Sequence, residues 1–271
     1  MFPLLNLSSA RPCVGHSSRI FTATRCLQAL IMVSAWLLVC GVSRAEDIKL
    51  LGLGAVVSAS PYKGMDNKSL VLPLVVWSAG PVALKGTELS FCFYKRAPLE
   101  LRVLAAPRMM GYSSGDSDAL EGMNDRERSF DAGLGATLEL PFVPNLFLEG
   151  KAAADISGRH AGPSGELGLE KKFISKYWRL SLSAGGRLHS DRLEDYYFGV
   201  RPDEVRADRP QYQAGTTGHF FAGTTFVCGI SRHWVVITGL GTEWLGAGAR
   251  KSPLTGRDVL LSGRLGLARR F

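Results

Sequence analysis

The residues most able to support catalysis are histidines that lie near serine and acidic residues. A lipase- or deacylase-type site needs a serine, a base and an orienting acid on one face, within hydrogen-bond reach. His189 and Ser190 are neighbours, so an extended chain points them to opposite faces. His189 shares a face with Asp191, but no serine joins them. This segment therefore does not predict a catalytic triad.

A second candidate begins at Asp155. Asp155, Ser157 and Arg159 have one parity and His160 has the other, so Ser157 and His160 point apart if the chain is extended. This pattern favours a cluster that shapes a loop over one that activates a nucleophile. We therefore predict that the protein is not an enzyme, and we name no catalytic residue.

Three aspartates, Asp116, Asp118 and Asp125, are the best candidates for a cation site. They lack the spacing of an EF-hand, and no glycine stands where the turn of a calcium loop requires one. We therefore predict no metal and no cofactor. Asp125 and Arg126 are instead expected to pin their long loop through local ion pairs and hydrogen bonds.

Tyrosine and arginine, which are favoured at protein interfaces, concentrate in the segment 190–217. Two interpretations stay open, a binding surface and a loop folded inward as a plug. Within the segment, residues 202–206 predict one helical turn, with proline first and acidic residues early. Together with the clusters above, the candidate loop and interaction residues are Asp125, Arg126, Arg159, His160, Tyr196, Tyr197, Arg209 and Tyr212.

Alternating segments of 10 to 14 residues must position these loops, and Val259 to Phe271 is the clearest example. Period-two alternation places successive side chains on opposite faces of a sheet. Repeated apolar-out, polar-in segments predict an all-β fold, an antiparallel transmembrane β-barrel. A soluble β-sandwich also alternates, but the strand length and an export signal favour the barrel. The free terminal Phe271 is typical of the strand that the barrel assembly machinery reads, and outer-membrane lipid is the expected surrounding.

The polar faces of these segments carry charges of both signs. They predict ion pairs that fill a narrow lumen, with a small selective channel as the alternative. The inward-facing residues are Glu100, Arg102, Arg108, Asp131, Glu139, Glu149, Lys151, Asp155, Glu166, Glu170, Lys172, Arg179, Arg187 and Arg264.

The segments count to eleven, whereas bacterial single-chain barrels have even strand numbers. An extra turn near Lys85-Gly86, inside the segment 82–94, gives twelve strands, and merging two segments gives ten. We favour twelve. From residue 99 onward, short and long connections alternate, and Trp178, Trp234 and Phe142 stand beside the short ones. This predicts an aromatic girdle at the periplasmic rim.

The first 45 residues have the layout of a cleaved secretory signal peptide, so the predicted barrel is 46–271. That leader holds four of the 32 basic residues and no acidic one, which leaves 28 basic against 24 acidic residues. The chain has no basic run interleaved with aromatic residues and no zinc-ligand spacing, so nothing in the sequence indicates nucleic-acid binding. Cys92 and Cys228 lie in separate strand patterns, so no disulfide is expected.

Three motifs in order carry a family resemblance: G-M-x-D-R at 122–126, D-x-S-G-R-H-x-G at 155–162 and Y-Y-x-G-V at 196–200. With the terminal Phe271, they make the chain resemble the MipA/OmpV family of outer-membrane proteins over about 48–271. Two features depart from the family's pattern. Arg269 stands where terminal strands usually carry an apolar residue, and the turn from Lys95 to Pro98 is unusually basic.

The resemblance implies a cell outer-membrane barrel. The family's named member resembles a scaffold that ties a lytic transglycosylase to a penicillin-binding protein. Membership does not by itself assign a role, and we favour a monomeric, non-enzymatic scaffold in peptidoglycan maintenance. Other members are described as adhesins or as proteins affecting envelope permeability. The alternatives are therefore a small-solute channel or an adhesin, and a lipid-modifying barrel enzyme is less favoured.

Overall fold

The computed structural model of the protein describes residues 49–271, all of them within the predicted barrel, and the predicted signal peptide lies outside this range. The described chain forms twelve strands. They are β1 (Lys49–Ser58), β2 (Lys68–Ala79), β3 (Val82–Lys85), β4 (Glu88–Arg96), β5 (Leu99–Arg108), β6 (Ser129–Glu139), β7 (Leu146–Asp155), β8 (Pro163–Ile174), β9 (Trp178–His189), β10 (Thr217–Gly229), β11 (Trp234–Trp244) and β12 (Val259–Arg270).

Each strand pairs antiparallel with its sequence neighbours, and β12 closes the barrel against β1. The prediction of an antiparallel barrel of about twelve strands is confirmed. The segment 82–94 does contain an extra turn, because Gly86 has a φ of 64° and separates β3 from β4. Ten strands are therefore excluded. No helix in the described part of the chain is long and apolar enough to cross a membrane.

The alternation of side chains follows the predicted faces. In β12, Leu261 and Leu265 are more than half exposed on the outside of the barrel, while Arg264 lines the lumen. Small residues on the inner face make room for large ones. The ring of Phe221 lies over Gly168 and Gly185, where an added Cβ would come within 3.0 Å and 2.7 Å of it.

The two ends of the barrel differ in their connections. Both described chain ends and the short turns lie at one end, which is the periplasmic end in bacterial barrels. Trp77, Trp178, Trp234 and Phe142 are exposed there, as the predicted girdle requires. Arg269 pairs in register with Trp234, and its guanidinium carbon lies 5.2 Å from the Phe271 ring centroid. The role of Phe271 in assembly stays a prediction.

The long connections lie at the opposite, outer end and carry the remaining helical structure. Helix α1 spans Asp191–Phe198 and helix α2 spans Ala247–Arg250. Short 3-10 turns occur at Ser114–Asp116, Asp118–Leu120 and Pro202–Glu204. The last of these confirms the predicted helical turn, with Pro202 at its start.

Candidate functional site

The outer loops pack against one another over the barrel mouth, and we call this assembly the outer cap. It consists of residues 59–67, 109–128, 156–162, 190–216 and 245–258. The rings of Tyr62 and Tyr112 meet edge to face at 4.6 Å, and Tyr62 also contacts Phe198. The buried apolar side chains are Tyr62, Met65, Tyr112, Leu120, Met123, Leu193, Tyr197, Phe198, Val200, Leu245, Ala249 and Leu254. The cap therefore has its own hydrophobic core, separate from the barrel wall.

A buried ion pair fastens two of these loops. Arg126 Nη2 lies 2.7 Å and 2.8 Å from the two carboxylate oxygens of Glu204, and both side chains are essentially fully buried. Burial acts to raise the pKa of Glu204, but hydrogen bonds from the Arg201 backbone N–H and from Arg126 outweigh it and hold the pKa below its usual value. The local ion pair predicted for Arg126 is wrong, because its carboxylate partner is 78 residues away, whereas a local hydrogen bond is present from Arg126 Nη1 to the Asn124 carbonyl at 2.8 Å.

Two further candidates make contacts inside the outer cap. Arg209 connects the same two loops, because it is buried and donates to the carbonyl oxygens of Ala119, Glu121 and Glu204 at 2.8–3.1 Å. Asp125 accepts a hydrogen bond from the Ser114 backbone N–H at 2.8 Å, which is a local contact of the expected kind. Both side chains therefore use their polar groups in contacts within the cap.

The three tyrosines of the 190–217 segment point into the cap. Tyr197 is fully buried, and the Tyr212 hydroxyl donates to the Gly248 carbonyl at 2.7 Å. The Tyr196 hydroxyl accepts from the Glu127 backbone N–H at 2.9 Å. Of the two interpretations left open by the sequence, the structure matches the inward-folded loop.

His160 and Asp155 shape a loop and do not form a triad. Asp155 accepts hydrogen bonds from the Ser157 hydroxyl and from the backbone N–H groups of Ser157, His160 and Ala161. The His160 Nε2 atom lies 3.2 Å from the Ser129 hydroxyl, a partner that sequence reasoning missed. Because Nδ1 accepts the Gly162 N–H at 3.1 Å, Nε2 carries the proton and cannot act as a base toward Ser129.

Arg159, the remaining candidate of this segment, lies on the surface of the cap. Its guanidinium forms an exposed ion pair with Glu127, whose side chain is also exposed. An exposed pair of this kind contributes little to stability. Arg159 is therefore unlike Arg126 and Arg209, which are buried.

A second buried histidine cluster was not visible in the sequence. Glu194 Oε1 lies 2.6 Å from His189 Nδ1 and 2.8 Å from His219 Nε2. Asp191, which shares parity with His189, instead begins α1. The Gly246 N–H donates to His219 Nδ1 at 3.3 Å, so His219 Nε2 carries the proton and donates to Glu194. This tautomer satisfies His219 through hydrogen bonds within the protein.

The three aspartates considered for calcium do not converge. The Asp116 carboxylate accepts from the Ser113 backbone N–H at 3.0 Å, and Asp125 accepts from Ser114. Within residues 49–271, two groups have three possible ligand atoms close together, His189 with Glu194 and His219, and Asp131 with Asp155 and His160. Neither group includes Asp116 or Asp118.

Below the cap, the lumen is a cavity of about 1060 Å³ lined by charged side chains of both signs. Arg187 lies 2.7 Å from both Glu166 and Glu243, and Lys151 lies 2.8 Å from Glu88. Glu166 and Arg187 stand opposite each other on adjacent strands, and the other two pairs join strands that are not neighbours. These lumen pairs correspond to the predicted structural ion pairs. The barrel wall therefore positions a charged interior that the outer cap covers at one end.

The periplasmic end carries a different charge pattern, and we call this region the basic rim. Its basic residues are Lys49, Lys95, Arg96, Lys171, Lys176, Arg179, Arg232, Arg269 and Arg270. Among the described residues, Lys95 with Glu100 is the one member that has a carboxylate within 4 Å. The basic turn from Lys95 to Pro98, which the sequence left without an interpretation, is part of this rim.

The family comparison follows from this architecture. The family model described as MltA-interacting protein MipA matches residues 51–271. The chain belongs to the MipA family. Proteins named YiaT from Escherichia coli O157:H7 and from Escherichia coli K12, both named as outer membrane proteins, are 23% identical over 224 residues, which cover 82% of this chain and 90% of each relative. This MipA-family barrel is a protein of the cell outer membrane.

Two solved structures share the barrel at low identity. The COG4313 outer membrane channel from Pseudomonas putida F1 is 11% identical with a TM-score of 0.42, covering 85% of this chain and 97% of that chain. The Ralstonia pickettii toluene transporter TbuX is 11% identical with a TM-score of 0.44, covering 84% of this chain and 90% of that chain.

Proposed function

We propose that this MipA-family barrel is a non-enzymatic docking scaffold that binds an acidic periplasmic partner at its basic rim. The observation that carries the proposal is the contrast between the two ends. The candidate residues Arg126, Tyr197 and Arg209 of the outer cap are consumed by internal contacts. The basic rim, apart from Lys95, has no carboxylate partner among the described residues.

The rim faces the compartment that contains peptidoglycan. The family description names an MltA-interacting protein, and we infer by resemblance that the partners are a lytic transglycosylase and a penicillin-binding protein. A field of one sign steers partners of opposite charge and sets the orientation of binding. The barrel would thereby hold a murein hydrolase and a synthase at the same site in the membrane.

Capture from crosslinked envelopes tests this role. The wild-type barrel should enrich the transglycosylase and the synthase over an unrelated barrel. The double variant Lys176→Glu/Arg232→Glu, in two exposed periplasmic turns, should lose most of that enrichment. The matched control Lys63→Glu/Arg250→Glu reverses two exposed charges of the outer cap and should keep it. Equal capture by both double variants, or none by the wild type, would contradict the scaffold proposal.

A small-solute channel is the second candidate, and the lumen cavity is the observation that favours it. The outer cap covers the axial exit, so we expect a quiet barrel in planar bilayers. If the lumen conducts, a barrel that lacks residues 203–208 of the cap should show conductance steps. Discrete steps from the intact barrel would favour the channel over the scaffold.

The absence of catalysis is part of the same proposal. Among residues 49–271, His160 and Ser129 come closest to a base and a nucleophile, but both are buried and the histidine nitrogen that faces Ser129 carries the proton. If cell envelopes that contain the His160→Ala variant differ in lipid profile from those that contain the wild type, the enzyme alternative is favoured.

A further inference from the structure

The barrel wall is incomplete in its outer half, between β2 and β5. Strand β3 has four residues and pairs only with residues 76–79 of β2, and the Gly86 N–H donates to the Val75 carbonyl. Residues 68–74 of β2 pair with β1 alone. On the other side, β4 pairs with β5 only as far as Ala105, and residues 106–108 pair with β6 alone. We call the space above the β3–β4 hairpin the wall notch.

The register shows the size of the wall notch. Seven residues of β2 lack a neighbour on this edge, which corresponds to roughly 23 Å of strand at about 3.3 Å per residue. On the opposite edge, only residues 106–108 of β5 lack a β4 partner, so the notch is longer along β2 than along β5. The β3–β4 hairpin bounds the notch at its inner end, and the Lys68 ammonium donates to the Gly111 carbonyl at 2.6 Å across its outer end.

Both edges of the notch carry proline at a position that faces it. In an antiparallel strand the N–H and C=O of one residue point to the same neighbour. The backbone polar groups of Val75 face the hairpin side of β2. Those of Pro73, two residues away, therefore face the same side and point into the notch. The Glu139 N–H donates to the Pro98 carbonyl, so the backbone polar groups of the odd-numbered residues of β6 face β5. Their register partners are the even-numbered residues of β5, whose polar groups face β6. The odd-numbered residues of β5 face the other way, so the backbone nitrogen of Pro107 also points into the notch. Proline cannot donate to an added strand, so these edges disfavour strand addition.

The lumen face of the notch is apolar, unlike most of the lumen. Leu70, Leu72 and Leu74 share the inward parity of Lys68, and a Leu74 methyl lies against Gly54 and Gly266 of the neighbouring strands. On the opposite side, the exposed Met109 follows Arg108, the last residue of β5 that lacks a β4 partner. A stripe of aliphatic side chains therefore runs along the notch from its outer end to the hairpin.

Two cations flank this apolar stripe, with Lys68 at its outer end and Lys85 at the hairpin. Both line the lumen cavity. Arg102 lies deeper on β5, opposite Cys92, and its guanidinium donates to the Thr137 hydroxyl of β6 at 2.7 Å. Within the described chain, no carboxylate lies within 4 Å of Lys68 or Lys85, whereas the neighbouring Lys151 and Arg108 have acidic partners. The notch thus combines an apolar stripe with two cations that form no ion pair.

We propose that the wall notch is a lateral binding site for a single-chain anionic amphipath. Its aliphatic chain lies along Leu70 and Leu72, and its head group meets Lys85 inside the lumen. Such a molecule enters the site from the outer leaflet of the membrane, because the notch lies in the outer half of the wall. This site is separate from the basic rim and does not depend on the scaffold role.

Binding of radiolabelled dodecanoate to the refolded barrel in phosphatidylcholine vesicles, against empty vesicles, tests the site. We expect saturable binding that approaches one molecule per barrel. Leu72→Trp, which fills the notch, should weaken it at least tenfold. The control Leu240→Trp enlarges a lipid-exposed side chain of β11, a strand paired on both sides, and should leave binding unchanged. Heat-modifiability gels verify that each variant is folded.

A second arm tests the head-group contact and does not depend on the folding of the tryptophan variant. Lys85→Gln should weaken dodecanoate binding about tenfold, which corresponds to roughly 1.4 kcal/mol, and should change the binding of dodecanol little. Dodecyltrimethylammonium should not compete. The proposal is overturned if the wild type shows no saturable binding, if both tryptophan variants bind alike, or if the cationic amphipath competes equally.

Discussion

The outer cap and the basic rim contain the same kinds of side chain and use them in opposite ways. Arg126 in the cap is buried and fully paired with Glu204, whereas Arg232 in the rim is exposed and has no carboxylate within 4 Å in the described chain. For the tyrosine- and arginine-rich segment of the cap, the sequence left a binding surface and an inward-folded loop open, and its residues stabilise loops. The role of an arginine here is set by its burial and its partner, and neither follows from its residue type.

The largest expected effect comes from breaking the buried pair of the cap. Arg126→Gln leaves the Glu204 carboxylate buried without its partner, which costs about 3–5 kcal/mol. Amide hydrogen exchange of α1 should accelerate, while the strands of the same molecule serve as the internal reference. The control Arg128→Gln changes an exposed neighbour. If α1 keeps wild-type protection in Arg126→Gln, the cap is not held by this pair.

The apolar core of the cap gives the next effect. Leu120 is fully buried among side chains from three other loops. Leu120→Ala should destabilise the cap by about 2–5 kcal/mol through lost burial and a residual cavity. Proteolysis of residues 109–128 in the assembled barrel measures this, with Leu240→Ala on the lipid face as control. Cleavage at the wild-type rate would show that the loops do not pack cooperatively.

Lowering the pH should destabilise the outer cap before it destabilises the barrel wall. The pKa of Glu204 is lowered in the folded state, so its contribution is present above the unfolded value of about 4.3 and is lost as the pH falls through the folded value. The pKa of Glu194 is lowered too, since hydrogen bonds from His189 and His219 outweigh the opposing effect of burial. Near-UV circular dichroism of the buried tyrosines should decrease from about pH 4 downward. Glu204→Gln should reduce this dependence, and an unchanged profile would contradict the assignment.

The smallest expected effect is at the rim. Arg232→Glu should change stability by no more than about 0.5 kcal/mol, because an exposed unpaired side chain loses no contact. The temperature at which the folded gel band disappears should match the wild type. A marked decrease would show that the rim charges have structural partners, and the contrast between the two ends would then fail.

The barrel was predictable because its chemistry repeats along the chain. Alternation with period two, the even strand number and the loop lengths led to twelve strands, and Lys85-Gly86 gave the hidden turn. The contacts of the cap were not predictable in the same way. Glu204, His219 and Ser129 come from separate loops and strands, and no local pattern indicates that they meet Arg126, Glu194 and His160. Sequence reasoning therefore placed most candidates in the right loops and could not assign their partners.

The long sequence separation within the outer cap has a consequence for the order of folding. Arg126 and Glu204 are 78 residues apart, and Arg209 meets Ala119 across 90. Each of these loops must cross the bilayer with its own hairpin before the pairs can form, and contacts of high sequence separation form late because closure entropy opposes them. The cap is therefore expected to assemble last, after the strands are inserted. Until then, its aromatic side chains and its buried carboxylates remain in water, and chaperones and proteases outside the membrane can reach them.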